Sequence, residues 1–468
     1  MNDPTLISVL PPVLAIVVAL VTRQAVLALL AGVVVGELIL GGSLLPALAA
    51  SVGRVTEAFS GNASILLFSI LVGAVLALIG RIGGVNGFVN WVTSRGVVNG
   101  PRGAQAVALV LGLGVFVESS ITCLVSGTAA RPLFDRFRLS REKLAYLTDS
   151  TSAPVCILIP MNGWGALIIG ILATLGFEDG VALLVGSIPF NFYALAALGL
   201  AFWFGLSNRD FGPMARAQER ARTTGQLIRK GARPLVSSEV LATAPAPGIP
   251  ERARNMVAPL LVLLAMIFVG LWVTGEGDLL AGDGGTSVLW ATLSAIVVAA
   301  GLGLAGRAIR LQEAVDLILK GAGGMVPVVA VLLMSFAIAG VARDLGTGAY
   351  LAGLAEAAMP LWVVPAVLFV VSGVTAFSTG TSWGTFGIML PLGIPVGVAL
   401  GLDPALVLGA VLSGGIFGDH CSPISDTTII ASMASASDLV DHVNTQLPYA
   451  LLGAAIAIVL FLGAGLAG

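Results

Sequence analysis

The densest group of residues able to hold a cation or pass a proton is Gly418-Asp419-His420-Cys421-Ser422-Pro423-Ile424-Ser425-Asp426-Thr427-Thr428. Apolar residues 404–417 precede it and Ile429 follows. Two carboxylates, an imidazole and five Ser, Thr or Cys side chains at membrane depth are costly without a ligand. Their oxygens suit a hard cation such as sodium, and the candidates are Asp419, His420, Ser422, Ser425, Asp426 and Thr427. Pro423 removes a backbone donor and is expected to free the carbonyl of residue 419. A second island, 116–123, reads FVESSITC and offers Glu118, Ser119, Ser120 and Thr122. A third, DSTSAP at 149–154, offers Asp149, Ser150 and Thr151, although a plain helix N-cap fits it as well. A fourth, FSTGTSWGT at 377–385, offers only hydroxyls: Ser378, Thr379, Thr381 and Ser382. Close helix packing is its plainer alternative. Sodium is expected on Glu118, Asp419 and Asp426. Glu37 is the weakest candidate, able to cap a scaffold interface or approach the outer surface.

Other chemistries fit poorly. Successive helical residues point ~100° apart, so Asp419-His420-Cys421 cannot converge as a nucleophilic triad. With two histidines in the chain, and His442 in the loop-like context DLVDHV, a zinc site is not expected. The three cysteines form no CxxC pair and no disulfide framework. No catalytic residue and no cofactor is expected, and no nucleic-acid partner.

The elements that position these groups follow from charge and hydropathy. Of 468 residues, 57% are hydrophobic and 10% charged, against ~25% charged in a soluble protein; the mean hydropathy is +1.01. That excludes a water-soluble enzyme, and sixty glycines without a period exclude collagen. The apolar segments are continuous runs, unlike the alternation of an outer-membrane barrel. The expected fold is an all-α polytopic membrane protein of about ten transmembrane helices. The first apolar segment lacks a basic n-region and is expected to be a retained span. Spans are expected at 4–22, 24–45, 58–80, 150–177, 180–208, 255–274, 286–306, 321–342, 404–435 and 443–468. Segments 103–130 and 357–402 carry polar residues at their middles and are expected as re-entrant hairpins, although two full crossings of 357–402 keep the same parity.

Basic residues cluster at 131–143, 209–254 and 307–320. Placed in the cytoplasm, they put both termini outside the cell (inner) membrane. The order of elements in 1–208, with hairpin 103–130 and broken helix 145–177, recurs in 255–468, with hairpin 357–402 and broken helix 404–435. LIGRIGG (78–84) echoes VARDLGT (341–347), and DSTSAP echoes DHCSP (419–423). With an odd number of spans per unit, the two units are expected as inverted repeats with broken helices at the midplane, joined by a basic cytoplasmic linker, 209–254. That arrangement is a mark of secondary transporters.

SVLPPVLAIVVAL (8–20), RPLFDRFRLSREKLAYLTDSTSAPVCILIP (131–160), FSTGTSWGTFGIMLPL (377–392) and above all GDHCSPISDTTIIASMAS (418–435) resemble the NhaC family of sodium/proton antiporters, within the wider ion-transporter superfamily. The resemblance runs along most of the chain outside the linker. It implies an inverted-repeat transporter exchanging internal sodium for external protons by alternating access, with carboxylates shared between the two. Relatives carry organic anions or amino acids, so the alternative is coupled transport of a small amino acid or carboxylate. The sequence departs from the family pattern at Glu118-Ser119, where the family has an acidic pair. The partners implied are membrane lipid, sodium ion and proton, with a small organic solute in the alternative; a homodimer is compatible with the sequence.

Overall fold

Only a helix satisfies every backbone group from within its own segment in lipid, and the charge-poor runs of this chain fold accordingly. The computed structural model describes residues 6–22, 24–93, 98, 100–114, 116, 119–234, 249–277, 282–347, 350, 359–423 and 425–467, and among them there is no strand. In chain order the helices are α1 (Leu10–Thr22), α2 (Ala25–Gly41), α3 (Leu44–Gly61), α4 (Ala63–Arg81), α5 (Gly84–Thr93), α6 (Pro101–Gly114) and α7 (Ser119–Arg136). Then come α8 (Arg141–Ser150), α9 (Ala153–Leu158), α10 (Gly163–Thr174), α11 (Gly180–Ser187), α12 (Phe192–Ser207) and α13 (Gly212–Thr224). After the linker follow α14 (Arg254–Thr274), α15 (Gly284–Ala305), α16 (Leu311–Gly324), α17 (Val326–Asp344), α18 (Val364–Thr379), α19 (Ser382–Ala399), α20 (Pro404–Cys421), α21 (Asp426–Ser435) and α22 (Leu439–Ala467).

Six segments among the described residues are long and apolar enough to cross a membrane, or eight if each sharply bent pair is one span. About ten were expected; at the start of the chain the helices are short, α1 with 13 residues and α2 with 17, against the ~20 that a perpendicular crossing takes. The expected span 58–80 also starts inside α3, which meets the next helix at 77°. Both expected hairpins consist of paired helices: α6 packs on α7, and α18 on α19. The second tip turns at Gly380, whose φ of 66° is left-handed and suits glycine. Residues 115, 117 and 118, most of the first tip, lie outside the described residues.

Small residues set how closely the helices approach. A side chain at Gly418 would stand 2.5 Å from the Phe377 backbone nitrogen, and closer still to the Gly373 carbonyl, so α20 lies directly on α18. The packing between the halves is reciprocal: α4 lies on α15 and α16, while α17 lies on α2 and α3. Glu37 is buried and pairs with Arg54 at 2.8 Å, and Arg54 reaches Asp344 at 2.8 Å. It belongs to this scaffold.

The linker is partly folded. α13 docks through Arg220, which donates to both oxygens of buried Glu142 at 2.8 and 3.0 Å. Lys143, read from sequence as one of a cytoplasmic basic cluster, is fully buried and pairs with Asp210. Its ammonium also donates to the Phe204 carbonyl at 3.2 Å and lies 5.5 Å from the centre of the Tyr146 ring. Residues 235–248 of the linker lie outside the described residues.

Candidate functional site

The break between α20 and α21 is local chemistry. Pro423 disfavours a helical conformation in the residue before it, and Ser422 is extended, with φ −78° and ψ 130°. The helix restarts at Ser425, whose hydroxyl accepts from the Thr428 N–H at 3.4 Å. The expectation of a free carbonyl at 419 fails, because Asp419 O accepts from the Ser422 N–H at 3.2 Å. A tightened last turn replaces the bond that proline removes.

Asp419, 1% exposed, stands in the last turn of α20 beside the second hairpin tip. Ser382, first residue of α19, donates to its Oδ2 at 2.7 Å. Ser425 lies beside the same carboxylate and its hydroxyl is 3.0 Å from that of Thr427. Ser422 donates to the Phe377 carbonyl at 2.6 Å, tying the break to the tip. Asp419 Oδ1 has no hydrogen-bond partner among the described residues. Among the described residues, one oxygen of this buried carboxylate is thus held and the other has no hydrogen-bond partner.

Asp149, in the last turn of α8, makes a second cluster. It is no N-cap. Its carbonyl accepts from the Ser152 N–H at 3.1 Å and hydroxyl at 2.7 Å, while its side chain crosses to α21 and α22. There Oδ2 accepts from Gln446 Nε2 at 2.7 Å and from the Thr428 hydroxyl at 3.3 Å, and lies 3.3 Å from His442 Nε2. Oδ1 has no partner among the described residues. Gln446 also donates to the His420 carbonyl. His420 itself is held at both ring nitrogens, with Tyr193 Oη 2.7 Å from Nδ1 and Ser150 Oγ 3.0 Å from Nε2. A neutral imidazole between two hydroxyls is satisfied as one donor and one acceptor, so His420 braces the site and has no ring nitrogen left for a cation.

Of the sequence candidates, then, the structure brings Asp149, Ser150, Asp419, His420, Ser382, Ser422, Ser425 and Thr427 to the region where the two broken elements meet. Thr151 turns back to its own helix, donating to the Leu147 carbonyl at 2.8 Å. Ser119 and Thr122 are buried on α7, and Thr381 is half-buried at the second tip. Glu118 lies outside the described residues, as do the side chains of Ser120, Ser378, Thr379 and Asp426. Of the three expected sodium ligands, Asp419 alone is described.

Sequence reasoning missed His442, Gln446, Thr428 and Tyr193. His442 is not in a loop: it stands in the first turns of α22, fully buried. Its spacing of four from Gln446 puts both on one helix face, a signal that was readable. Asn162 was missed too. Its Oδ1 accepts from the N–H groups of Trp164 and Gly165 at 3.0 and 3.2 Å, and its Nδ2 donates to the carbonyls of Cys156, Ile159 and Phe116 at 2.7, 2.8 and 3.3 Å. One side chain caps α10 and stitches the first broken element to the first hairpin tip.

The sequence profile of the Na+/H+ antiporter family matches residues 155–466. An uncharacterized protein of Haemophilus influenzae is 34% identical over 95% of this chain and 88% of its own length. The malate-2H(+)/Na(+)-lactate antiporter of Bacillus subtilis is 40% identical over 92 residues, 20% of each chain. Among solved structures, the YdaH transporter of Alcanivorax borkumensis superposes with a TM-score of 0.58 at 14% identity, covering 90% of this chain and 89% of that one. At that identity the likeness is one of fold.

Proposed function

The chain belongs to the Na+/H+ antiporter family, and on that premise we propose that it exchanges sodium for protons by alternating access, drawing on the buried carboxylates between its two broken elements. The sequence resemblance to antiporters and the family match agree, and the fold is that of a multi-pass membrane transporter. The observation that carries the reading is Asp419: a buried carboxylate with one oxygen unpartnered among the described residues, set among hydroxyls where hairpin tip and helix break meet. Carboxylate and hydroxyl oxygens are what a hard cation takes, and a proton neutralises the same group. None of the contacts described for Asp149 or Asp419 is with lysine or arginine.

The reciprocal packing of α4 and α17 against the opposite half supports two inverted repeats, whose near-equivalence supplies one state open to each side. In proteoliposomes an outward sodium gradient should move the internal pH without any organic solute. A strict requirement for an added amino acid or carboxylate would replace this reading with coupled solute transport, which the local similarity to a malate and lactate exchanger favours.

A further inference from the structure

The two buried carboxylates stand in different chemical company. Around Asp419 the neighbours are mostly oxygens: the Ser382 hydroxyl at 2.7 Å and the Ser425 hydroxyl, with the Ser382 backbone N–H beside them and the Gly415 carbonyl 3.4 Å from Ser382 Oγ. Around Asp149 they are mostly nitrogens: the Gln446 amide at 2.7 Å and the His442 imidazole at 3.3 Å, with the Thr428 hydroxyl also at 3.3 Å. N–H groups donate to the carboxylate and cannot coordinate a cation from that side.

The unsatisfied atoms sharpen the contrast. Asp149 Oδ1, Gln446 Oε1 and His442 Nδ1 are all buried without a hydrogen-bond partner among the described residues. The amide orientation is set, since Nε2 faces two acceptors, Asp149 Oδ2 and the His420 carbonyl. With the His442 Nε2–H directed at Asp149, its Nδ1 carries a lone pair. All three orphaned atoms are then acceptors, so this cluster is short of a hydrogen. Buried acceptors left unpaired are costly, and a proton relieves that cost with one bond, where a hard cation would want several oxygens.

We propose that Asp149, His442 and Gln446 form a proton-binding site distinct from the cation site at Asp419, so that the exchanged ions occupy different groups. The proposal rests on the antiport reading above and divides its set of carboxylates. The proton adds to a lone pair of Asp149 Oδ1 or His442 Nδ1 and leaves again to water, with no other bond changed. Coupling runs through short links. Gln446 joins Asp149 to the carbonyl of His420, the residue after Asp419, and Ser150, the residue after Asp149, meets the His420 ring. Charge at one site is felt at the other through a dry interior.

The other titratable groups near this cluster are His420, Asp419 and Cys421 on α20, Tyr193 on α12 and Tyr146 on α8. The charged groups of α8 are engaged elsewhere: Arg141 with Asp135, Glu142 with Arg220 and Lys143 with Asp210. On α22, Asp441 pairs with Arg229; the Asp426 side chain of α21 lies outside the described residues.

The test uses the full-length protein in detergent, measuring radioactive sodium binding against pH and sodium-triggered proton release in weak buffer. In wild type, competition with one proton makes sodium affinity fall about tenfold per pH unit on the acid side. Asp149→Asn, which mimics the protonated acid, should bind sodium with one affinity at every pH, close to the weak wild-type value on the acid side, and release no proton. His442→Gln, which keeps a side-chain N–H for Asp149, should shift the pH of release without weakening sodium at high pH, and it decides the matter if Asp149→Asn fails to fold. Wild-type release and pH slope in both variants would overturn the proposal and place the proton on Asp419. A wild-type protein that binds no sodium at any pH would instead remove the antiport reading beneath it.

Discussion

Replacing Asp419 by asparagine removes one negative charge and almost no volume. In the protein, Oδ2 takes one hydroxyl bond from Ser382 at 2.7 Å and Oδ1 takes none among the described residues. The asparagine carbonyl can keep the Ser382 bond while its amide turns to the bare side. Folding should therefore hold, because a buried charge is lost and the accepted hydrogen bond is kept. Binding should not hold. At an effective dielectric of about 20, a unit charge about 4 Å from a monovalent cation attracts it by about 4 kcal/mol, or about three decades of affinity. The assay is thermal unfolding in detergent with and without sodium. A ligand at about 100 times its Kd stabilises the folded state by about 2.7 kcal/mol, so wild type should gain clearly from sodium. The Asp419→Asn variant should unfold near the sodium-free wild type and gain nothing, and its vesicles should not exchange. Sodium stabilisation and exchange at wild-type levels in this variant would refute the site assignment.

The Lys143–Asp210 pair gives a second test. Lys143→Met leaves Asp210 buried without its cation and should cost about 3–5 kcal/mol of stability, read as a fall in unfolding temperature. Adding Asp210→Leu should recover most of the loss, because the stranded charge goes with it. Gly418→Ala sets a methyl against the Gly373 carbonyl and Phe377 nitrogen, and with backbone unable to yield, about 1–3 kcal/mol or more should be lost; unaltered stability would deny the close α18–α20 contact. In the turn before α22, burial tends to raise the Asp438 carboxyl, but backbone N–H groups of Arg233, Val440 and Asp441 and the charge of Arg229 outweigh it and hold the group below its usual range. A depressed acid stabilises the fold above its unfolded pKa, about 4, and loses that contribution as pH falls through the lower folded value. Asp438→Asn should therefore be less stable than wild type at neutral pH, with the gap closing toward pH 3.

Much of the fold could be read before any coordinates. Continuous apolar runs admit helices, and Gly, Pro and Ser/Thr at fixed places say where helices break. The 418–428 island was visible for a simple reason: carboxylates flanked by apolar residues on both sides have no water to face. Hydropathy reports what lipid tolerates and is silent on where a helix ends. The run 58–80 is expected as one span, yet it begins inside α3 (Leu44–Gly61) and continues in α4 (Ala63–Arg81), and the two helices meet at a steep angle.

What the sequence could not supply was partnership. Asp149 read equally well as a cap, and only the approach of α21 and α22, nearly 300 residues later, turned it into the centre of a cluster. His442 and Gln446 share a helix face by local spacing, but that face has meaning only because α22 packs against α8. Lys143 looked like one more cytoplasmic charge until the fold closed Asp210 and two tyrosine rings around it. Composition and spacing alone determined that this chain is a helical membrane protein with polar residues at its breaks, because solvation acts on each residue wherever it ends up. Which oxygens and nitrogens meet depends on contacts between segments far apart in the chain, and those only tertiary packing could decide.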